Sequence, residues 1–150
     1  MALGDMPFRI FKLSIVASLL FSVCGCSHSL TLEYVFPDGF SGIAKLRSNK
    51  PAGVSLVATN GFITLTFPPS GVLDIQGESP IHDWHNPIAR YQSGETIPVV
   101  TPPNEVSNDA IALRSVGSKN NVEDWYFVGK LNGIHDAQTQ MRGFEFPSKR

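Results

Sequence analysis

Apolar and polar residues alternate over 30–36, with Leu30, Leu32, Tyr34 and Phe36 on one side and Thr31, Glu33 and Val35 on the other. That period of two predicts a half-buried strand. Pro37-Asp38-Gly39 follows, combining a fixed φ, a side-chain acceptor and a φ-permissive residue, which is the chemistry of a tight turn. Ile43–Leu46 reads as the next strand. Val54–Thr59 and Phe62–Phe67 flank Asn60-Gly61, the pair that best tolerates positive φ at both centres of a type I′ turn, so a β-hairpin is expected there. Pro68-Pro69-Ser70-Gly71 ends that strand, because proline cannot donate to a central ladder, and Val72–Ile75 begins another. Ile97–Val100 and Trp125–Val128 complete the main set, with Ile111–Arg114 and Phe144–Phe146 as shorter candidates. On the Trp125 strand, Trp125 and Phe127 are expected to face the core, with Tyr126 and Val128 opposite. Two stretches read as loops: Gln76–Glu95, with Pro80 and Pro87, and Thr101–Asp109, opened by Pro102-Pro103. Asp109–Val116 has a second reading as one or two helical turns capped by Asn108 or Asp109. Short strands punctuated by Gly and Pro predict an all-β chain, a small β-sandwich.

The N-terminus follows a different grammar. Arg9 and Lys12 precede the uncharged apolar run Leu13–Val23, and small residues follow, the layout of a secretory signal. The run falls short of the roughly 20 apolar residues that a membrane-spanning helix needs. Val23-Cys24-Gly25-Cys26 resembles a lipobox, the cleavage site of lipoprotein signal peptidase. Gly25 is small enough for a narrow active site, and the Cys26 thiol is the group that receives diacylglycerol. The expected organisation is a signal peptide, as a signal helix, over 1–25, the lipidated Cys26 and a tether over 26–29, and one domain over 30–150. A start at Met6 would bring the two basic residues nearer the N-terminus and leave the same mature chain.

Charge and cysteine usage narrow the functions open to this domain. The chain holds 12 basic and 13 acidic residues, and loss of 1–25 leaves 10 against 12. That balance argues against nucleic acid, whose phosphates need a clustered basic face. Cys24 leaves with the signal and Cys26 becomes a thioether, so neither a disulfide nor thiol chemistry remains in the mature domain. The expected address is the extracytoplasmic side of a membrane, held by the lipid on Cys26; multiple acyl chains anchor stably where one does not. In a cell with two membranes, Ser27 after the lipidated cysteine resembles the pattern sent to the outer one.

The motif Tyr34-x-Phe-Pro37-Asp38-Gly39-Phe40-x-Gly42, then Pro68-Pro69-Ser70-Gly71-Val72, then Trp125-Tyr126-Phe127-Val128-Gly129 resembles a group of small bacterial lipoproteins whose activity is unassigned. The resemblance implies a membrane address and a transthyretin-like or carboxypeptidase-regulatory-like sandwich. It implies no reaction.

Candidate chemistry centres on His82-Asp83-Trp84-His85-Asn86. His82, Asp83 and His85, joined by His135, are the candidate ligands for zinc or copper, and the same residues would centre a hydrolytic reading. The simpler expectation is a loop whose Trp84 plugs one end of the sandwich while both histidines stay solvated. No Gly-x-Ser-x-Gly elbow occurs, and Glu123-Asp124 reads as a solvated strand start. Trp84, Tyr91 and Arg90, with Arg114, are candidates for an interaction surface toward an envelope protein or glycan, since amphipathic rings and guanidinium groups suit such contacts. The reading that results is a non-enzymatic, cofactor-free envelope module tethered to a membrane.

Overall fold

The strand over 30–36 becomes the organising element of the fold because it is paired in parallel on both flanks. A computed structural model of the chain describes residues 30–100 and 107–143. The expected signal segment 1–25, Cys26 with its tether to 29, most of the Thr101–Asp109 loop and the expected strand Phe144–Phe146 lie outside the described residues. Among the described residues eight strands form two four-stranded sheets. The first sheet runs β3 (Phe62–Thr66), β1 (Leu30–Phe36), β5 (His85–Tyr91), β6 (Thr96–Ile97). The second runs β4 (Val72–Asp74), β2 (Gly42–Arg47), β8 (Glu123–Gly129), β7 (Ala112–Lys119). A helix, α1 (Ile134–Gly143), follows β8 after a short 3₁₀ turn. The all-β expectation therefore holds for the described residues.

Parallel neighbours cannot be joined by a hairpin and need a crossover. β1 pairs in parallel with both β3 and β5, and β2 with β4, so the chain shuttles between the sheets. β1, β3 and β5 all begin at one end, here the lower end. β2 and β4 run the opposite way and finish there, and the β7–β8 turn at Asn120 and Asn121 closes there as well, since β8 is antiparallel to β2. Between the sheets lie Leu32, Tyr34 and Phe36 from β1, Ala44 and Leu46 from β2, Leu65 and Phe67 from the β3 segment, and Tyr126 and Val128 from β8. The aromatic rings form a continuous series. Tyr126 meets Tyr34 edge-on at 5.2 Å, Tyr34 stacks on Phe67 at 6.4 Å, Phe67 on Phe36 at 4.8 Å, and Phe36 on Phe40 at 5.2 Å. Such contacts add to area burial and favour one packing arrangement.

Several expectations are corrected. The Asn60-Gly61 turn forms, with φ of 52° and 80° and mutual Thr59–Phe62 backbone bonds, but the upstream arm is not a strand. Val54 is bound to the second sheet, where its N–H donates to the Asp74 carbonyl. The segment must cross between sheets within a few residues, so it cannot run beside β3. The expected loop Gln76–Glu95 contains β5, a central strand despite Pro87. Gln92 N–H donates to Phe36 on the β1 side and Tyr91 N–H to Glu95 on the other. Alternation therefore turns position 87 away from β1, beyond the end of the two-residue β6, where no donor is required. The helical reading of Asp109–Val116 gives way to β7.

The inward pair on β8 is Tyr126 and Val128, not Trp125 and Phe127. Register places Tyr126 opposite the core residue Ala44. Trp125 is buried all the same, on the outer face, with Lys45 Nζ 3.7 Å from its ring centroid and its Nε1 donating to Glu123 at 2.6 Å. The helix α1 covers this outer face: Ala137 is buried, and Met141 packs beside Gly117 of β7. Its Ala, Gln, Met and Arg content favours helix. Asp124 is not solvated. It is 1% exposed, facing inward, and accepts bonds from Ser79 Oγ at 2.7 Å and from Ser118 Oγ.

The upper end gathers the pieces of the Pro-acid-Gly-aromatic motif into one joint. Asp38 accepts from Ser93 N–H, Phe40 O accepts from the Tyr91 hydroxyl, and Ser41 Oγ donates to Val128 O. Gly71 sits at φ 72°, and a Cβ there would lie 2.6 Å from Ile43 O and 3.0 Å from the Phe40 ring. Gly71→Ala is expected to destabilise the domain by about 2–4 kcal/mol, combining left-handed strain with overpacking. Gly94, at φ 94° with open space around it, should cost only about 1 kcal/mol on the same change. Denaturant melts of the two variants check the difference.

Candidate functional site

Two of the concave features of the molecule border β5. A cleft of about 240 Å³ opens between the sheets, lined by Tyr34 and Tyr126 from the core, by His85 and Pro87 of β5, and by Leu113 and Ser115 of β7. Ile81, Val99 and Val100 complete it. Its volume falls below the roughly 300–1,000 Å³ of sites for drug-sized ligands. The polar groups offered to it are few: the Tyr34 and Tyr126 hydroxyls, 3.3 Å apart and bonded to one another, the Ser115 hydroxyl and the His85 ring.

Burial holds both phenols in the protonated form. Desolvation pushes Tyr34 up to about 12, opposed by its bond to Tyr126, and desolvation likewise raises Tyr126 well above the ordinary tyrosine range, helped by the neighbouring Tyr34 and by the Asp124 charge. Phenols held protonated in this way supply little phenolate at neutral pH. What the pair supplies is a hydrogen-bonding patch in an otherwise apolar slot.

A second, open hollow of about 580 Å³ is formed by residues 81–87, the segment that carries the histidine cluster. Its shape follows from its anchors. Ser79 is buried against Asp124, Pro80–His82 form a single 3₁₀ turn, and His85 starts β5 opposite Leu30. Trp84 therefore stands on a span fixed at both ends, yet its side chain is 89% exposed. It does not plug the sandwich. His85 Nδ1 lies 2.7 Å from the Asp83 carbonyl; a carbonyl only accepts, so Nδ1 is the donor in this contact.

The candidate ligands are only partly brought together. His82, Asp83 and His85 share the lower-end hollow, whereas His135 lies on α1, which follows the upper end of β8. Among the described residues no group of three His, Cys, Asp or Glu side chains is placed to hold a metal ion. The proposed surface of Trp84, Arg90 and Tyr91 also divides. Tyr91 is 8% exposed and belongs to the core, while Arg90 projects from the opposite face of β5 to an ion pair with Glu33 at 2.8 Å. That pairing, with a bond from Thr64, holds the Glu33 carboxyl below its usual range. Arg114 is buried and donates to Gly129 O. The cleft itself was not legible in the sequence, because Tyr34 read as core, Leu113 only as part of a short strand, and Tyr126 as the outward face of its strand.

No family model and no curated protein sequence matches the chain. Among solved structures, the fold is similar to the 2.75 Å crystal structure of a Bacillus anthracis protein provisionally named a lipoprotein, with a TM-score of 0.45 and 16% identity, covering 77% of this chain and 92% of that one. Among the described residues no helix is long and apolar enough to cross a membrane.

The chain has three tyrosines, at 34, 91 and 126, and burial raises all three. A group whose folded pKa is raised stabilises the fold below its unfolded pKa and loses that contribution as pH climbs through the folded value. The native domain is expected to show less phenolate absorbance at pH 10 than the urea-unfolded chain, and its melting temperature should fall as pH rises from 10 to about 12. Tyr126→Phe should lessen that alkaline loss. Parallel absorbance and melting titrations check it.

Proposed function

We propose that the chain is a bacterial lipoprotein precursor, cleaved before Cys26, lipidated on that thiol, and carrying a small non-enzymatic β-domain on the extracytoplasmic side of the membrane. The observation that carries this reading is the run of Arg9 and Lys12, the apolar segment Leu13–Val23 and the Val23-Cys24-Gly25-Cys26 box, set only four residues before β1 begins. The tether is short. Four residue spacings extend at most about 14 Å, so the domain sits against the membrane that holds it.

Support for a binding rather than a catalytic role comes from where the charged groups are spent. Asp124 is clamped by two serines, Glu33 by Arg90 and Thr64, and Asp74 by a two-pronged bond to Arg47 at 2.6 and 2.8 Å. These carboxylates hold segments together and are not poised over the cleft. The role left to the exposed loop is contact with an envelope component; nucleic acid is not a candidate, given the near-neutral charge.

Expression of the full chain in a bacterium with labelled fatty acid should give a membrane-bound product whose N-terminal fragment begins at modified Cys26. Cys26→Ala should abolish the label and leave the precursor uncleaved, whereas Cys24→Ala should retain both. Label that persists in Cys26→Ala, or an unmodified product in the soluble fraction, would sink the lipoprotein reading.

A further inference from the structure

We infer that the lower end of the sandwich docks on the bilayer surface, with the Trp84 indole as its anchor in the lipid headgroup region and Phe62 and Val57 beside it. This rests on the tether through Cys26 and goes beyond it: the lipid would hold the chain, whereas the protein's own side chains would set how the domain lies.

Topology supplies the argument. Leu30, the first residue of β1, is directly opposite His85, and Thr31 is opposite Phe62, with Thr31 N–H donating to Gly61 O. The residues preceding β5 and β3 are therefore at the end to which the tether leads. Trp84 is 89% exposed, Val57 72%, Val54 55% and Phe62 47%. Val54 joins this end through Ile75 at the foot of β4, and Val122, 40% exposed, through the β7–β8 turn. Among the described residues, the large exposed apolar side chains at the upper end are Ile111 and Leu131, neither of them aromatic. Concentrating exposed aromatic surface at the tethered end is what a domain needs if that end meets lipid.

The chemistry fits a bilayer interface. Indole combines a large apolar body with an N–H donor, and tryptophan is enriched where hydrocarbon meets headgroups. Phe62 opens β3 and Trp84 immediately precedes β5, the strands that flank β1 on either side, so they stand roughly 12 Å apart, two strand spacings across and two residues along. Phe62 lies in the row of Thr31 and Asn86, facing away from the core, and Trp84, just below that row, is exposed to solvent. The charges nearby are mixed in sign: Asp83, Glu78 and the Arg47–Asp74 pair with Lys50 and Lys119. Attachment is accordingly apolar and does not require anionic lipid. A patch this small binds weakly from free solution, but a tether of four residues keeps it at a high effective concentration, so weak contact suffices.

The test uses the full lipidated protein purified from membranes and reconstituted into phosphatidylethanolamine–phosphatidylglycerol vesicles. The chain has two tryptophans, and Trp125 is 2% exposed, so the signal lost in Trp84→Phe reports Trp84. Docking predicts that, on vesicles, acrylamide quenching of Trp84 falls at least about threefold against the detergent-solubilised protein, that brominated lipid quenches it, and that the result persists without phosphatidylglycerol. Phe62→Ser should weaken the bromolipid quenching. Protein that floats with vesicles while Trp84 stays fully open to acrylamide would overturn docking and leave the lipid anchor intact. Trp84 shielded from acrylamide but untouched by bromolipid would mean contact with another protein or a second copy, and would also overturn it. Protein that carries no lipid and fails to float would remove the anchor, and the docking inference with it.

Discussion

The double parallel pairing of β1 is the constraint from which the rest of the architecture follows. Each of its neighbours must be reached through a crossover, and the crossovers pass through the second sheet, which interlocks the two layers before any side chain is considered. It also forces three strand starts onto one end. Loops that would otherwise be scattered, including the Asn60-Gly61 turn and the residue 76–84 segment, are collected there, while the Pro37–Gly42 and Pro68–Gly71 turns are collected at the opposite end. The division of the molecule into a packed joint at one end and an exposed apolar rim at the other is a result of strand direction.

Local sequence disclosed the strands whose two faces differ. β1 alternates cleanly and was legible residue by residue, and the turns at Asn60-Gly61 and Pro68–Gly71 were legible from backbone chemistry. What escaped reading had physical causes. β5 carries a proline and polar residues because half of its outer edge is unpaired, so it lacks the signature of a central strand. β8 is buried on both faces, inward by the core and outward by Lys45 and α1, and alternation cannot rank two apolar faces. The arm Val54–Thr59 has strand composition, but its partner was chosen by the path between sheets, which is not a local property.

The candidate site was legible only in part, for a related reason. The segment His82–Asn86 stood out by composition, yet its meaning depends on Ser79 and Asp124, a buried pair 45 residues apart that neither residue announces. Asp124 accepts bonds from the 76–84 segment and from β7 while sitting on β8, so one carboxylate ties the exposed loop to the sheet that lies behind it. Trp84 is thereby presented on a braced span rather than a slack one, which lowers the ordering cost of any contact it makes.

The edges of the two sheets carry a further consequence. The outermost strands are β3, five residues long and closed by Pro68-Pro69; β6, of two residues; β4, of three; and β7, longer but broken by a bulge between Ser115 and Gly117. Short, proline-terminated or bulged margins are poor templates for another chain's backbone. Under the proposed tether, neighbouring copies would share two dimensions instead of three and meet far more often, and that poverty of free ladder would then guard against polymerising into fibres.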